Sequence, residues 1–170
     1  NRFITLGNLV TESWRQVDVE LRRRHDLVPS LVETVRGYTA HERSVLEEVA
    51  RLRTLATPVG GPATQAAHET ALGEALHRLL AVAESYPQLR ANTGYVELAR
   101  ALADTEDRIA AARRFYNANV RALNTWCETF PANLIAGWFR FGQAEYFEVT
   151  DADHAVPVVD VGGGRAQLEG

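Results

Sequence analysis

The chain has 170 residues, of which 46% are hydrophobic and 24% charged, and its formal net charge is −4. This length and composition predict one globular domain with its own core, and the acidic balance argues against nucleic-acid binding, which needs a basic surface. The single cysteine, Cys127, excludes an intramolecular disulfide. No stretch approaches the roughly 20 consecutive apolar residues of a membrane-spanning helix.

The first third of the chain carries an apolar stripe whose members recur at alternating steps of four and three residues. Such a stripe is typical of a helix in a coiled coil or a helical bundle. Its members are Leu6, Val10, Trp14, Val17, Leu21, Val28, Leu31, Val35, Tyr38, Val45, Val49 and Leu52. Two polar residues, Arg24 and Glu42, occupy stripe positions where an aliphatic residue is expected. Because Pro29 lacks an N–H and clashes with the preceding turn, we expect a kink there.

Residues 37–39 are the point at which we expect this stretch to divide into two helices. Gly37 can adopt the left-handed conformation that ends a helix, and Thr39 and Glu42 have the spacing of a capping box. The alternative is one continuous rod, since the stripe keeps its step across this point. The sequence TPVGGP over residues 57–62 then predicts a loop.

Two further helices are predicted, from about Ala63 to Tyr86 and from about Tyr95 to Phe130, with a turn between them. Glu69 and His77 lie mostly off the leucine face of the first of these helices. Residues 133–141 form a short apolar segment suited to packing on the end of a bundle, and Val156 to Val161 resemble a strand.

These elements together predict an all-α protein, an antiparallel up-and-down bundle of four helices in which the first is long and kinked. The bundle is expected over residues 1–147, with a short apolar cap at its C-terminal end. Residues 148–170 are expected to form an extended or flexible tail.

Motifs for metal binding and covalent catalysis are incomplete. His41-Glu42 and His68-Glu69 each begin the H-E-x-x-H pattern of zinc proteases but lack the second histidine. The E-x-x-H spacing of di-iron bundles occurs once, at Glu74 and His77, where two copies are needed. Cys127 has no histidine nearby, and no glycine-rich phosphate loop follows a strand. We therefore predict no catalytic, cofactor-binding or metal-binding residue, and a protein that is not an enzyme.

A polar cluster is predicted around Arg24. Of the three consecutive arginines at 22–24, only Arg24 falls on the stripe, and a buried arginine needs a carboxylate partner. Asp26, Glu42 and Glu106 are the candidates. An ion pair that sets the register of the helices is the favoured interpretation, and a polar pocket that binds a small anionic or lipidic ligand is the alternative.

A second cluster on the last helix places Arg113 and Arg114 beside Tyr116 and Asn117. We interpret this cluster as a surface that binds a partner. Cations next to an aromatic ring are common at protein interfaces. The alternative is an ordinary helix face covered by long side chains.

Several strings of the chain resemble the LemA family of bacterial proteins, and the resemblance covers residues 8–147. The longest are RRHDLVPSLVETV at 23–35, LAVAESYP at 80–87, TEDRIA at 105–110, ARRFYN at 112–117, NLIA at 133–136 and EYF at 145–147. The departures are His25 in place of a tyrosine, Asp107 in place of an asparagine, and the loop at 57–65.

The resemblance implies an antiparallel helical bundle that one transmembrane helix precedes, and the lack of methionine in the chain agrees with a segment before Asn1. It implies no catalytic activity, cofactor or ligand. We expect a membrane-anchored scaffold or adaptor that binds other proteins of the bacterial cell envelope; the alternative is a sensor or carrier with a ligand at Arg24. Arg2 and Arg15 favour a cytoplasmic location.

Overall fold

The computed structural model describes residues 2–39, 41–57, 60–139 and 142–148. Its elements are the helices α1 (Arg2–Arg36), α2 (Arg43–Leu55), α3 (Pro62–Ala83), α4 (Pro87–Arg90), α5 (Thr93–Glu128) and α6 (Ala132–Phe139). Four of them are long, and no strand occurs within these residues. The predicted all-α bundle is confirmed.

The two longest helices, α1 and α5, pack against each other along most of their length and run antiparallel. Phe3, near the start of α1, meets Trp126, near the end of α5, and Arg24 in the middle of α1 meets Glu106. The shorter helices α2 and α3 pack on each other, and α2 also packs on α1. They reach only part of the roughly 52 Å that the 35 residues of α1 span.

The core has three parts along the α1–α5 pair. The largest lies where all four long helices meet and contains the aliphatic stripe from Val28 to Val35. A second, around Val17 and Tyr116, is closed by Phe147 from the C-terminal segment. A third, small part joins Phe3 to Ala136 of α6 at the far end. The C-terminal segment 142–148 therefore completes this part of the core together with Ala66 of α3.

The helix boundaries correct two expectations, both within residues 37–42. α1 continues through Pro29, which lies on the exposed side, so no helix begins or ends there, in agreement with the expected continuous helix. The kink itself stays a prediction. The predicted division at 37–39 is confirmed, but the capping box is wrong: α2 begins at Arg43 without a side-chain cap, and the Thr39 hydroxyl instead donates to the carbonyl of Val35 at 2.9 Å. Gly37 is also not left-handed; that conformation occurs at Gly60, where φ is 99°.

The end of the chain was predicted only in part. α6 forms within the apolar segment, yet of its described side chains only Ala136 is buried, while Leu134 and Trp138 are exposed. α6 thus packs on the end of the bundle through Ala136, as expected, while Leu134 and Trp138 do not take part in that packing. The predicted tail falls outside the described residues from 149 onward, as does the strand-like segment 156–161.

Candidate functional site

Arg24 is buried in the middle of the bundle, where its side chain is 3% exposed. Its neighbours Arg22 and Arg23 are both exposed. Successive helical residues point about 100° apart, so a run of three can direct only one side chain to the core. The position of Arg24 on the apolar stripe predicted which one.

Two carboxylates from different helices hold the Arg24 guanidinium. Nη1 donates to both carboxylate oxygens of Glu106 on α5, at 3.0 and 3.1 Å. Nη2 donates to the Glu69 carboxylate on α3 and, at 3.0 Å, to the backbone carbonyl of the same residue. Charge-assisted bonds of this kind are the strong ones in a protein interior. Of the three guanidinium nitrogens of Arg24, only Nε lacks a hydrogen-bond partner among the described residues.

The neighbouring residue His25 extends the cluster to the remaining long helix. Its Nε2 lies 2.9 Å from the second oxygen of Glu69, and its backbone carbonyl accepts a hydrogen bond of 2.9 Å from Nε of Arg53 on α2. All four long helices thus contribute to one polar network, which we call the Arg24 cluster: Arg24, His25, Arg53, Glu69 and Glu106. Such a network sets the axial register of the helices, because a shift of one helix along its axis would separate a buried charge from its partner.

The sequence placed Asp26 and Glu42 in this cluster as well, and the structure does not. Asp26 is exposed, and Glu42 accepts a hydrogen bond of 3.5 Å from the Tyr86 hydroxyl elsewhere in the bundle. Glu69, by contrast, was expected mostly off the leucine face and is buried. Its position three residues before Leu72 continues the leucine stripe of α3, which is the signal that could have identified it.

Two small cavities flank the Arg24 cluster without reaching Arg24 itself. One, of about 220 Å³, lies beside Glu106 and His77. The other, of about 170 Å³, is lined by His25, Asp26 and Glu69. A small anion would have to displace a carboxylate before it could contact the Arg24 Nη groups. The geometry therefore favours a register-setting ion pair over a ligand pocket.

Chemistry that needs a metal or an activated thiol finds little support in the described part of the chain. No group of three or more His, Cys, Asp or Glu side chains there is arranged to hold a metal ion. Glu74 and His77, the E-x-x-H pair, are both exposed. Burial, with a smaller contribution from Glu128, raises the pKa of the Cys127 thiol, which disfavours the nucleophilic thiolate.

The predicted partner surface divides into an outer and an inner half. Arg113 and Arg114 are exposed, but Tyr116 is buried and its hydroxyl donates to the backbone carbonyl of Glu145 at 2.8 Å. The amide of Asn117 pairs with the backbone of Phe147 in both directions, at 2.9 and 3.3 Å. Tyr116 and Asn117 therefore hold the C-terminal segment in place, and Tyr116 is not available to a partner.

A groove open to solvent runs between α1 and α5, and neither Arg113 nor Arg114 lines it. It has a volume of about 560 Å³, and its lining includes the exposed side chains of Val19 and Phe115. We call this groove the α1–α5 face. A second hollow, of about 540 Å³, lies on another side of α5, beside Thr70 of α3 and Glu148, and is lined by Arg113, Arg114 and Arg121.

These features define the class of the protein: a long-helix bundle in which a buried arginine joins four helices, and two helices extend beyond the others. The chain belongs to the LemA family, whose model matches residues 13–161.

Among curated proteins, the chain is 27% identical to magnetosome proteins MamQ 1 and MamQ 2 of Paramagnetospirillum magneticum, over 87% of its length. It is 25% identical to magnetosome protein MamQ of Magnetospirillum gryphiswaldense, over 86% of its length. The alignments cover 64% of the length of each relative. Among the described helices, none is both long and apolar enough to cross a membrane.

Proposed function

We propose that this LemA-family bundle is a scaffold or adaptor that binds other proteins at the bacterial cell envelope, without a catalytic step of its own. In this proposal a membrane anchor precedes the bundle, as the family resemblance implies, and the bundle lies on the cytoplasmic side. The relatives are named as magnetosome proteins, which supports a role in a cellular assembly.

The observation that carries the proposal is the α1–α5 face. Val19 and Phe115 are large apolar side chains that remain exposed on the two helices bordering one groove. Apolar side chains gathered in a groove are the usual anchors for an amphipathic helix of a partner. Val19 lies about 200° around α1 from the buried Val17, so the groove is on the side of α1 that faces away from the core and stays open in the folded bundle.

The charged side chains that line the groove are already paired. Arg15 lies 3.2 Å from Glu12, and Arg108 lies 3.9 Å from Glu20. The second hollow offers a separate contact, because Arg113, Arg114 and Arg121 are exposed there and make no ion pair with a described residue. Arginine contributes strongly to interfaces because its planar group binds carboxylates with two hydrogen bonds. We expect a partner with an apolar helical anchor for the groove and with acidic residues for the second hollow.

Co-purification of the full-length protein from detergent-solubilised membranes tests the proposal. The informative variants, which we call the face variants, are Val19→Asn with Phe115→Ser in the groove and Arg113→Ser with Arg114→Ser in the second hollow. Leu55→Ser is a matched control, since Leu55 is an exposed apolar side chain on α2, away from this groove.

We expect reproducible partners with the wild type and the control, and loss of those partners with either face variant. If the same proteins are recovered with the wild type and with both face variants, the α1–α5 face is not a binding surface.

A further inference from the structure

Three large apolar side chains are exposed where α5 passes into α6. Phe130 is 74% exposed, Leu134 65% and Trp138 88%. They follow one another at steps of four residues, and Leu134 and Trp138 therefore lie on the same side of α6. Side chains of this size are seldom so exposed in a group unless the surface has an occupant. We call these three residues the α6 face.

The opposite side of α6 is fixed to the bundle. Ala136, about halfway around the helix from Leu134 and Trp138, is buried against Phe3 at the start of α1. Phe3 in turn packs on Trp126, with 6.2 Å between the ring centroids. The contact orients α6, so that the α6 face points away from the bundle at the end where α1 begins.

The composition of this end matches a lipid–water interface. The eight residues of α6 include no charged side chain. Aromatic residues, Trp above all, prefer the boundary between headgroups and acyl chains, because one part of the ring system is apolar and another can form a hydrogen bond. Next to α6, the Arg2 guanidinium lies 4.4 Å from the Trp126 ring centroid, exposed and without a described acidic partner. A cation there complements anionic headgroups.

We propose that the α6 face inserts into the interfacial region of a lipid bilayer, with Arg2 at the headgroups. The inference rests on the proposed membrane attachment and adds a second contact to it. One short helix with three apolar side chains binds lipid weakly by itself, but the proposed anchor keeps it at the bilayer surface, where its effective concentration is high. A second contact of this kind would also set the orientation of the bundle, and hence of the α1–α5 face, relative to the membrane.

Tryptophan fluorescence on vesicles tests the insertion directly. The chain, with an N-terminal polyhistidine tag, is bound to vesicles of phosphatidylcholine and phosphatidylglycerol that contain a nickel-chelating lipid. In the variant Trp14→Phe with Trp126→Phe, Trp138 is the only remaining tryptophan. We expect its emission to shift to the blue on vesicles, and lipids brominated near the headgroup to quench it. Emission that stays at the wavelength of a water-exposed indole overturns the proposal.

Flotation of the tagged wild-type chain with vesicles that contain a limiting amount of the nickel-chelating lipid is the second measurement, independent of the tryptophan replacements. The variant Phe130→Ser, Leu134→Ser and Trp138→Ser changes only exposed side chains, so circular dichroism should show an unchanged helix content. We expect its vesicle-bound fraction to fall about tenfold. Equal binding of variant and wild type overturns the proposal.

Two controls separate this inference from the proposed function. The variant Val19→Asn with Phe115→Ser should bind vesicles as the wild type does, because its changes lie on the α1–α5 face. If the α6 face instead joins two copies of the chain, light scattering will show a dimer that the triple serine variant abolishes, and vesicles will not shift the Trp138 emission. That outcome overturns the membrane contact and leaves the partner-binding proposal intact.

Discussion

Replacement of Arg24 by methionine is the sharpest test of the network that joins the four helices. The change keeps an unbranched apolar stem, shorter than the arginine side chain, and removes the charge. Among the described residues, Glu69, 3% exposed, then keeps only the His25 side chain as a partner, whereas Glu106, 30% exposed, can be hydrated. Breaking a buried pair by removing one partner costs about 3 to 5 kcal/mol. For a chain of this size that corresponds to a fall of about 6 to 20 °C in the midpoint of thermal unfolding.

Urea unfolding, monitored by circular dichroism, measures the free energy of unfolding that Arg24→Met removes. Arg22→Met is the matched control: Arg22 is exposed and forms an ion pair of 2.8 Å with Asp18, so its loss should change the stability by no more than about 0.5 kcal/mol. The double variant Arg24→Met with Glu69→Leu should regain most of the stability, since the uncompensated charge is gone. A loss below about 1 kcal/mol for Arg24→Met alone would refute the assigned role.

The remaining predictions concern the cap of α5, the C-terminal segment, alkaline pH and the cysteine. Asn92→Ala should cost about 1 kcal/mol in urea unfolding, because the Asn92 side chain accepts a hydrogen bond of 2.9 Å from the Tyr95 N–H; an unchanged stability would contradict this. Tyr116→Phe should also cost about 1 kcal/mol, since the Glu145 carbonyl loses its donor, and an unaltered urea midpoint would speak against that contact. Burial raises the pKa of Tyr95 and Tyr116 above the value near 10 in the unfolded chain. Their contribution to stability is therefore complete below about pH 10 and is lost as the pH rises through the raised pKa values; thermal midpoints should fall there, and less so in Tyr116→Phe. Finally, Cys127 should react with a thiol-specific disulfide reagent at mildly alkaline pH more slowly in the folded than in the unfolded chain, because its pKa is raised; equal rates would count against its burial.

The helical architecture could be predicted from the sequence because the apolar stripe specifies which side of each helix is buried. Val17, Leu21, Val28, Leu31 and Val35 all follow that stripe and are all buried. The division at residues 37–39 and the loop near residue 60 depend on glycine and proline, whose backbone preferences act locally. The prediction failed at the start of α2, where the Thr39 hydroxyl bonds back to α1 in place of capping the next helix.

The candidate sites were only partly predictable. Two sequence signals conflict at Tyr116. The spacing of seven residues from Ile109 to Tyr116 and on to Leu123 favours a buried side chain, whereas the neighbouring arginines suggested an exposed surface. What buries it is the segment 142–148, which follows after α6 and packs back on the α1–α5 pair. A contact between residues so far apart in the chain has no local sequence pattern that marks it.

The Arg24 cluster shows what the sequence determines and what only the tertiary structure decides. The sequence alone determined that Arg24 faces inward and that it needs a carboxylate, because helical periodicity sets the direction of a side chain and a buried charge must be compensated. Only the tertiary structure decided that Glu69 and Glu106, and not Asp26 or Glu42, provide it. Periodicity gives an angle around one helix, but the partner depends on the axial height at which other helices pack, and the fold as a whole sets that height.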